Sequence, residues 1–364
     1  MKAAVLEAPR QLKVENVPKP VPKQDEVVIK VKACGICGSD LRYLQGENPW
    51  ALHTLGEDRP NPPNIILGHE FAGEVVQSGD NANSYLIGKR VVVSPYRACG
   101  VCRFCRKGTY NLCHQTIHLG HGAGWGEMEY YPGGMAEYCQ VWADKVFLLP
   151  DSVSFEEAAL LDIVGIAVHG MNVSRIAPGS DVAILGTGPL GLSMVQIARI
   201  WGARKVFCTD IREKNLNMAL ETGADDAINA QANDPVQRIM GATDSCGVDV
   251  VLDTVGSPET LQQALRLLAP SGTLVNMATH ANNISFDLTQ LGSERAMRSS
   301  SNYFFHEFQT CLDLAAAGQL NLKPMITHRF GLQQVEQAFE MLLAEAEHDA
   351  LKVIIEPCST GTPY

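Results

Sequence analysis

The spacing of hydrophobic and polar positions changes near residue 150 of the 364-residue chain. Before that point the apolar runs are short. "EVVIKVKAC", "FAGEVVQSG", "KRVVVSP" and "AEYCQVWADKVFLLP" are β-branched or alternating and end at Gly, Pro or Asn, the pattern of strands joined by loops. Pro18, Pro20, Pro22, Pro60, Pro62 and Pro63 mark non-helical connections, and "LGEDRPNPPN" reads as an exposed loop. From Ser152 the period becomes helical. "SFEEAALLDIVGIAVHGM" starts at a Ser152 or Ser154 cap, with Glu156 and Glu157 in the first turn. Strands and helices then alternate: "DVAILG", "PLGLSMVQIARIWG", "KVFCTD", "REKNLNMALETG", "VDVVLDTVG", "PETLQQALRLLA" and "GTLVNMA". Such alternation with short links predicts βαβ units on a parallel sheet. The tail returns to mixed structure, with a helical "LQQVEQAFEMLLAEA" and a strand-like "LKVIIEP". The expected organisation is an α/β chain of two domains, one built from residues 1–151 and 301–364, the other from 152–300.

Composition narrows the function. A hydrophobic fraction of 46% supports a packed core, while a net charge of −11 argues against nucleic acid and anionic membrane as partners. No run of about 18 apolar residues is present to span a membrane. "MKAAVLEAPRQLKVENVPKP" lacks the unbroken apolar stretch of a signal peptide, so a cytoplasmic chain is expected. In that compartment, clustered cysteines point to metal or catalysis rather than disulfides. Of the eleven, Cys139, Cys208, Cys246, Cys311 and Cys358 are scattered and receive no role.

"VAILGTGPLGLSMVQIARIWGARKVFCTD" holds Gly186, Gly188 and Gly191 in G-x-G-x-x-G spacing, after a strand and before a helix. These glycines, with Pro189 and Leu190, make a turn whose backbone can approach a pyrophosphate at a helix N-terminus. Asp210 ends the following strand, placed to accept a hydrogen bond from a ribose 2′-hydroxyl and to repel a 2′-phosphate. NAD is therefore expected over NADP, although Arg212 is of the type that serves NADP.

Two other sets are of metal-ligating type. Cys99, Cys102, Cys105 and Cys113 follow C-x2-C-x2-C-x7-C in a short polar loop, 99–113. The spacing admits an iron–sulfur cluster, but four dense thiolates are read here as one closed structural zinc site. Cys37, His69 and Glu70 flank strand-like segments. A catalytic zinc needs three protein ligands and an open position, and Asp162, a carboxylate inside an apolar run, can supply the third. Asp162 could equally cap a helix or pair with Arg175.

"CGICGSD", "LGHEFAGEV", the four-cysteine loop and "GTGPLG", in this order, resemble the zinc-dependent alcohol dehydrogenases of the medium-chain dehydrogenase/reductase superfamily. The resemblance spans the chain and implies a GroES-like, mostly β catalytic domain beside a Rossmann NAD-binding domain. It implies two zinc ions per chain, with Cys37 and His69 holding the catalytic one, Asp162 in the third ligand position and Glu70 at the metal. "DIVGIAVHG" is most similar to the threonine and polyol dehydrogenases, with Ile163 where their usual proline stands. The implied reaction is reversible oxidation of a secondary alcohol (a polyol, a diol or an L-threonine-like compound) to a ketone by hydride transfer, zinc acting as Lewis acid. Ser39 is the implied hydroxyl partner of the substrate, and Asp40 a residue that positions the loop or a ligand. Where many relatives relay the proton through histidine, this chain has Arg42; His53 is a substitute candidate. His114, His118, His121 and His169 receive no role. The resemblance also implies a homo-oligomer, tetramer or dimer. The alternative is a non-catalytic, zinc-stabilised NAD-binding sensor or scaffold.

Overall fold

The computed structural model describes residues 1–278, 283–344 and 349–358. It divides into two units. The first comprises Met1–Asp162, Phe308–Gly318 and the residues from Leu322 onward; the second comprises Ile163–Glu307 and Gln319–Asn321.

The first unit is built on a seven-stranded sheet. At its centre lies the strand Glu26–Gly35, almost wholly buried along its length. Val27, Val28 and Ile29 form its one apolar run, buried on both faces of the sheet; beyond them Lys30 and Lys32 alternate with buried Val31 and Ala33. It pairs antiparallel with Glu70–Ser78, Tyr138–Trp142 and Lys352–Glu356. Ile29, Val31, Phe71, Val91, Val141 and Ile355 form the core beneath. Lys2–Ala8 carries a second sheet of three strands. The register that sets Gly35 opposite Glu70, with Cys37 two residues beyond the strand's end, brings the first and second ligand-bearing segments together. Of the predicted exposed loop 55–64, residues 56–60 and Pro63 are exposed, whereas Leu55, Asn61, Pro62 and Asn64 are half-buried.

The second unit contains a six-stranded sheet whose every pairing is parallel. Counting its strands along the chain from Asp181–Leu185, the spatial order is 3-2-1-4-5-6, the doubly wound arrangement with its switch point beside the first strand. Asp181–Leu185 is fully buried between helices. The core joins Ala183, Phe207, Val251, Leu265 and Leu274.

One predicted helix is two. Ser154 caps Phe155–Ala159 in a reciprocal box with Glu157, and a second helix runs Leu161–Ser174. At Leu160 the backbone tightens to a bond with the Glu157 carbonyl, so Asp162 opens a new helix and does not lie inside a longer one. The helix in the tail spans Val335–Leu343; the end of the run "LQQVEQAFEMLLAEA" lies outside the described residues.

Candidate active site

The glycine turn closes the strand Asp181–Leu185 and opens the helix Pro189–Ile200, with Gly188 as its N-cap and Pro189 at its first position. A side chain at Gly191 would meet the Gly186 carbonyl oxygen at 2.0 Å, so this glycine is what lets helix and turn close up. At Gly188 a side chain would meet nothing within 4 Å. The turn is therefore tight on its protein side and open on the other, a cradle that fits a pyrophosphate against the helix N-terminus. Asp210 braces the cradle. One carboxylate oxygen accepts from Thr187 N and Oγ1 at 2.7 and 2.8 Å, the other from Ile211 N and Arg212 N at 2.7 and 3.0 Å. Arg212 is the N-cap of the helix Glu213–Thr222.

The four loop cysteines converge. Their sulfur atoms all lie within 4.8 Å of one another. Cys99–Cys105, Cys102–Cys105 and Cys102–Cys113 are 3.9, 3.5 and 3.9 Å apart. Sulfurs about 2.3 Å from a tetrahedral zinc stand about 3.8 Å from each other. The cage thus has the size of one ion, and an iron–sulfur cluster does not fit inside it. Backbone N–H groups of Cys102 and Cys99 point at the sulfurs of Cys99 and Cys113 at 3.3 and 3.4 Å. Such donors, from Val101 and Cys102, hold the Cys99 thiol down to about 6, where the thiolate is the metal ligand.

The second cluster is Cys37, His69 and Glu70, whose ligand atoms lie within 4.8 Å of one another. Asp162 does not belong to it: this carboxylate is buried, 9% exposed, in the first turn of the helix Leu161–Ser174. Glu70, the first residue of the strand Glu70–Ser78, occupies the third place. Gly68, before them, has φ +92°, and a side chain there would meet Cys34 Sγ at 2.5 Å. The G-H-E turn therefore requires its glycine.

Asp40 ties the two ligand segments together from behind. It is fully buried, accepts from Cys37 N at 2.8 Å and Gly68 N at 3.4 Å, and faces His69 Nδ1 at 3.6 Å. A carboxylate behind a histidine fixes the ring orientation a metal needs. Burial pulls the His69 pKa down, but the Asp40 and Cys37 charges outweigh it and hold it well above the ordinary value. On the other side Lys352 Nζ donates to Glu70 Oε2 at 2.6 Å and to the Ile36 carbonyl at 3.1 Å, all buried. Burial opposes its charge, and Glu70 restores it, leaving its pKa raised. His69 Nδ1 and Glu70 Oε1 are buried without a hydrogen-bond partner. A half-buried thiol beside a buried imidazole and a buried carboxylate with an unsatisfied oxygen fits a divalent zinc.

Ser39 is half-buried at the start of the helix Gly38–Gln45. Arg42, on the same helix, is held by Glu47 at 2.7 Å, and His53 sits exposed on a π-helical turn, Ala51–Leu55. The sequence reading missed Lys352. Its signal was the one that drew attention to Asp162, a charge inside an apolar run, here "LKVIIEP". It also left out a column of rings beside His69. Tyr43, His121, His118 and Tyr96 stack in that order, with centroids 5.0, 3.9 and 6.3 Å apart. His69 meets His118 and His121 edge-on at 5.7 and 6.1 Å. Burial, with His69 adding to it, pushes His118 down to about 3.

A doubly wound dinucleotide fold, and a unit with one closed and one three-ligand metal constellation, define a nucleotide-dependent, metal-assisted oxidoreductase. Residues 23–151 match the family described as alcohol dehydrogenase GroES-like domain, and 189–317 that described as zinc-binding dehydrogenase. The chain is 34% identical to a sorbitol dehydrogenase of Bacillus subtilis, over 98% of this chain and 97% of that one. It is 35% identical to an L-threonine 3-dehydrogenase of Pyrococcus furiosus, over 90% of each. A putative zinc-binding dehydrogenase from Sinorhizobium meliloti, bound to NADP, superposes with a TM-score of 0.87 at 31% identity, over 98% of this chain and 99% of that one. This chain belongs to the zinc-dependent alcohol dehydrogenase family of the medium-chain dehydrogenase/reductase superfamily, and is an oxidoreductase acting on CH–OH groups with NAD(P).

Proposed function

We propose that this enzyme interconverts a secondary alcohol plus NAD with a ketone, NADH and a proton. The observation that carries the reading is the Cys37–His69–Glu70 cluster, its imidazole and carboxylate buried, with Glu70 Oε1 unsatisfied and Asp40 bracing two of its members. Zinc, when bound there, supplies Lewis acidity to the alcohol oxygen. Cys37, His69 and Glu70 are the proposed ligands. Asp162, buried at the opening of its helix, is proposed as the further carboxylate of the site, a role supported by the family pattern "DIVGIAVHG". Ser39 Oγ, two residues after Cys37, is proposed to hydrogen-bond the substrate oxygen and to start the relay, passing its own proton outward as it receives the substrate's. With Arg42 held by Glu47 and permanently charged, the proton leaves by another route, for which the exposed His53 is the proposed substitute.

The cofactor preference proposed is NAD. Asp210, ending the strand beside the glycine turn, disfavours a 2′-phosphate; that the Sinorhizobium relative carries NADP makes the comparison of both cofactors necessary. Gly186, Gly188, Pro189, Leu190 and Gly191 are the proposed pyrophosphate cradle, with Arg212 at its edge. The second zinc, at Cys99, Cys102, Cys105 and Cys113, is proposed as structural. A cytoplasmic homotetramer is proposed on family resemblance alone, and light scattering tests the assembly.

The deciding experiment measures zinc by elemental analysis and NADH or NADPH formation on zinc-replete protein, with sorbitol, 2,3-butanediol, L-threonine and 2-butanol. Two zinc ions per chain and turnover with NAD on at least one alcohol are expected. One zinc ion and no turnover with any would refute the proposal.

A further inference from the structure

We infer that Gly120 is a positioning residue for His69: lacking a side chain, it lets the loop 118–126 close onto the Gly68–His69 peptide and hold it in place. This deepens the proposed function and rests on Cys37, His69 and Glu70 being its metal site. The stretch "HLGHGAGWG" carries glycine at every second position from Gly120 to Gly126. All four have φ between +54° and +83°, but their surroundings differ. A Cβ on Gly120 would lie 2.5 Å from the Gly68 carbonyl oxygen, 2.6 Å from the Gly68 carbonyl carbon and 3.0 Å from His69 N. These three atoms are the peptide that joins Gly68 to His69. They belong to the backbone, so no side chain can rotate out of the way.

The peptide is pinned from several directions. Gly134 N donates to the Gly68 carbonyl at 2.7 Å, and Gly68 N donates to Asp40 Oδ1 at 3.4 Å. The loop is itself anchored, with Leu119 N donating to the Pro95 carbonyl and Gly120 N to the Pro132 carbonyl, both at 2.8 Å. A methyl group at position 120 therefore cannot be relieved by a free swing of either partner. It has to displace Gly68, and that movement strains the bonds to Gly134 and Asp40 together. A close-packed interior passes such a shift on instead of absorbing it. The next residue is His69, whose Nδ1 faces Asp40 at 3.6 Å. Groups that orient a ligand from behind typically govern metal affinity by about 10- to 100-fold. Gly120 belongs with these groups, although it acts through backbone contact and not through a hydrogen bond to the ligand side chain.

The test uses zinc-loaded full-length protein and needs no substrate. Zinc per chain is measured after dialysis against graded EDTA, and X-ray absorption at the zinc edge identifies the ligands of the ion that stays. Gly120→Ala should release one ion with a dissociation constant raised about 10- to 100-fold over wild type. The remaining ion should show an all-sulfur shell at about 2.3 Å, that of the four loop cysteines. Gly126→Ala, at φ +54° and with nothing within 4 Å of its Cβ, should hold both ions as wild type does. Gly124→Ala would meet the Thr116 carbonyl oxygen at 2.2 Å, so it should lower the thermal midpoint without weakening the ion at His69. Unchanged zinc affinity in Gly120→Ala, loss of the cysteine-loop ion in its place, or equal weakening in Gly124→Ala overturns the inference. So does loss of the native near-ultraviolet circular dichroism of Gly120→Ala in excess zinc, which would make Gly120 a residue of the fold alone. A wild-type chain that holds a single ion overturns the proposed function itself, so the two failures are told apart.

Discussion

Replacing Lys352 by methionine isolates the most consequential contact that the motifs do not announce. The ammonium and the Glu70 carboxylate are 2.6 Å apart, with side chains 2% and 1% exposed. At an effective dielectric constant of about 20, charges at this distance attract by about 6 kcal/mol. Desolvation of both ions offsets much of that, but only while the pair is intact. Lys352→Met leaves the carboxylate buried without its cation, a loss of about 3–5 kcal/mol. If Glu70 also faces a zinc ion, the metal compensates the charge in the lysine's place. The stability loss should then be smaller in zinc-loaded than in chelator-stripped protein. By linkage the variant should bind zinc more tightly, about tenfold for a difference of about 1.4 kcal/mol. Urea unfolding followed by tryptophan emission is a suitable assay, because Trp125 and Trp142 stack at 5.2 Å within the same unit. Adding Glu70→Gln to Lys352→Met should recover part of the loss in the stripped protein. Equal stability of variant and wild type in both metal states, or a double variant no better than the single one, would refute the reasoning.

Other contacts give further expectations. On the proposed four-cysteine zinc site, Cys102→Ser should remove one zinc per chain, and limited proteolysis should then cut within residues 99–113. With Asp210 as the proposed 2′-hydroxyl acceptor, Asp210→Ala should lower kcat/KM for NAD by about 10- to 100-fold relative to NADP; loss of its brace on Thr187 weakens both cofactors alike, so an unaltered cofactor ratio would mean that Asp210 serves the turn alone. Arg329 grips Glu156 with two bonds of 2.7 and 2.6 Å and holds its pKa below the usual carboxylate value. The stabilisation from that pair is therefore complete above about pH 4.3 and disappears as pH falls through the lowered pKa. Glu156→Gln should cost about 0.5–1 kcal/mol at pH 7, and the gap to wild type should close in urea titrations carried down to pH 3.

Local chemistry was legible along the chain, and chemistry made by distant segments was not. The glycine turn and the cysteine loop each occupy one short stretch, so spacing alone implies their shape. The turn of Gly186, Gly188 and Gly191 is where the alternating strands and helices predict it, at the switch point of a parallel sheet. Cys37 and His69 were recognisable from the motifs around them. Asp162 drew notice as a buried carboxylate, and it is buried; but the carboxylate that clusters with Cys37 and His69 is Glu70. Burial is a property that an apolar run predicts, whereas distance to a ligand 125 positions away is not. The same holds for Lys352, which meets Glu70 across a separation of 282 residues through the pairing of the last strand with Glu26–Gly35. His118 and His121 were visible only as histidines after a cysteine loop, and the fold stacks them between Tyr43 and Tyr96 beside His69. The sequence by itself determined the two-unit α/β plan, the dinucleotide turn and the closed metal loop, because each follows from side-chain period or from donors a few residues apart. Only the tertiary structure decided which carboxylate joins the second metal set, which lysine restrains it and which rings stand beside it. Those choices depend on strand register and packing, which a linear pattern does not encode.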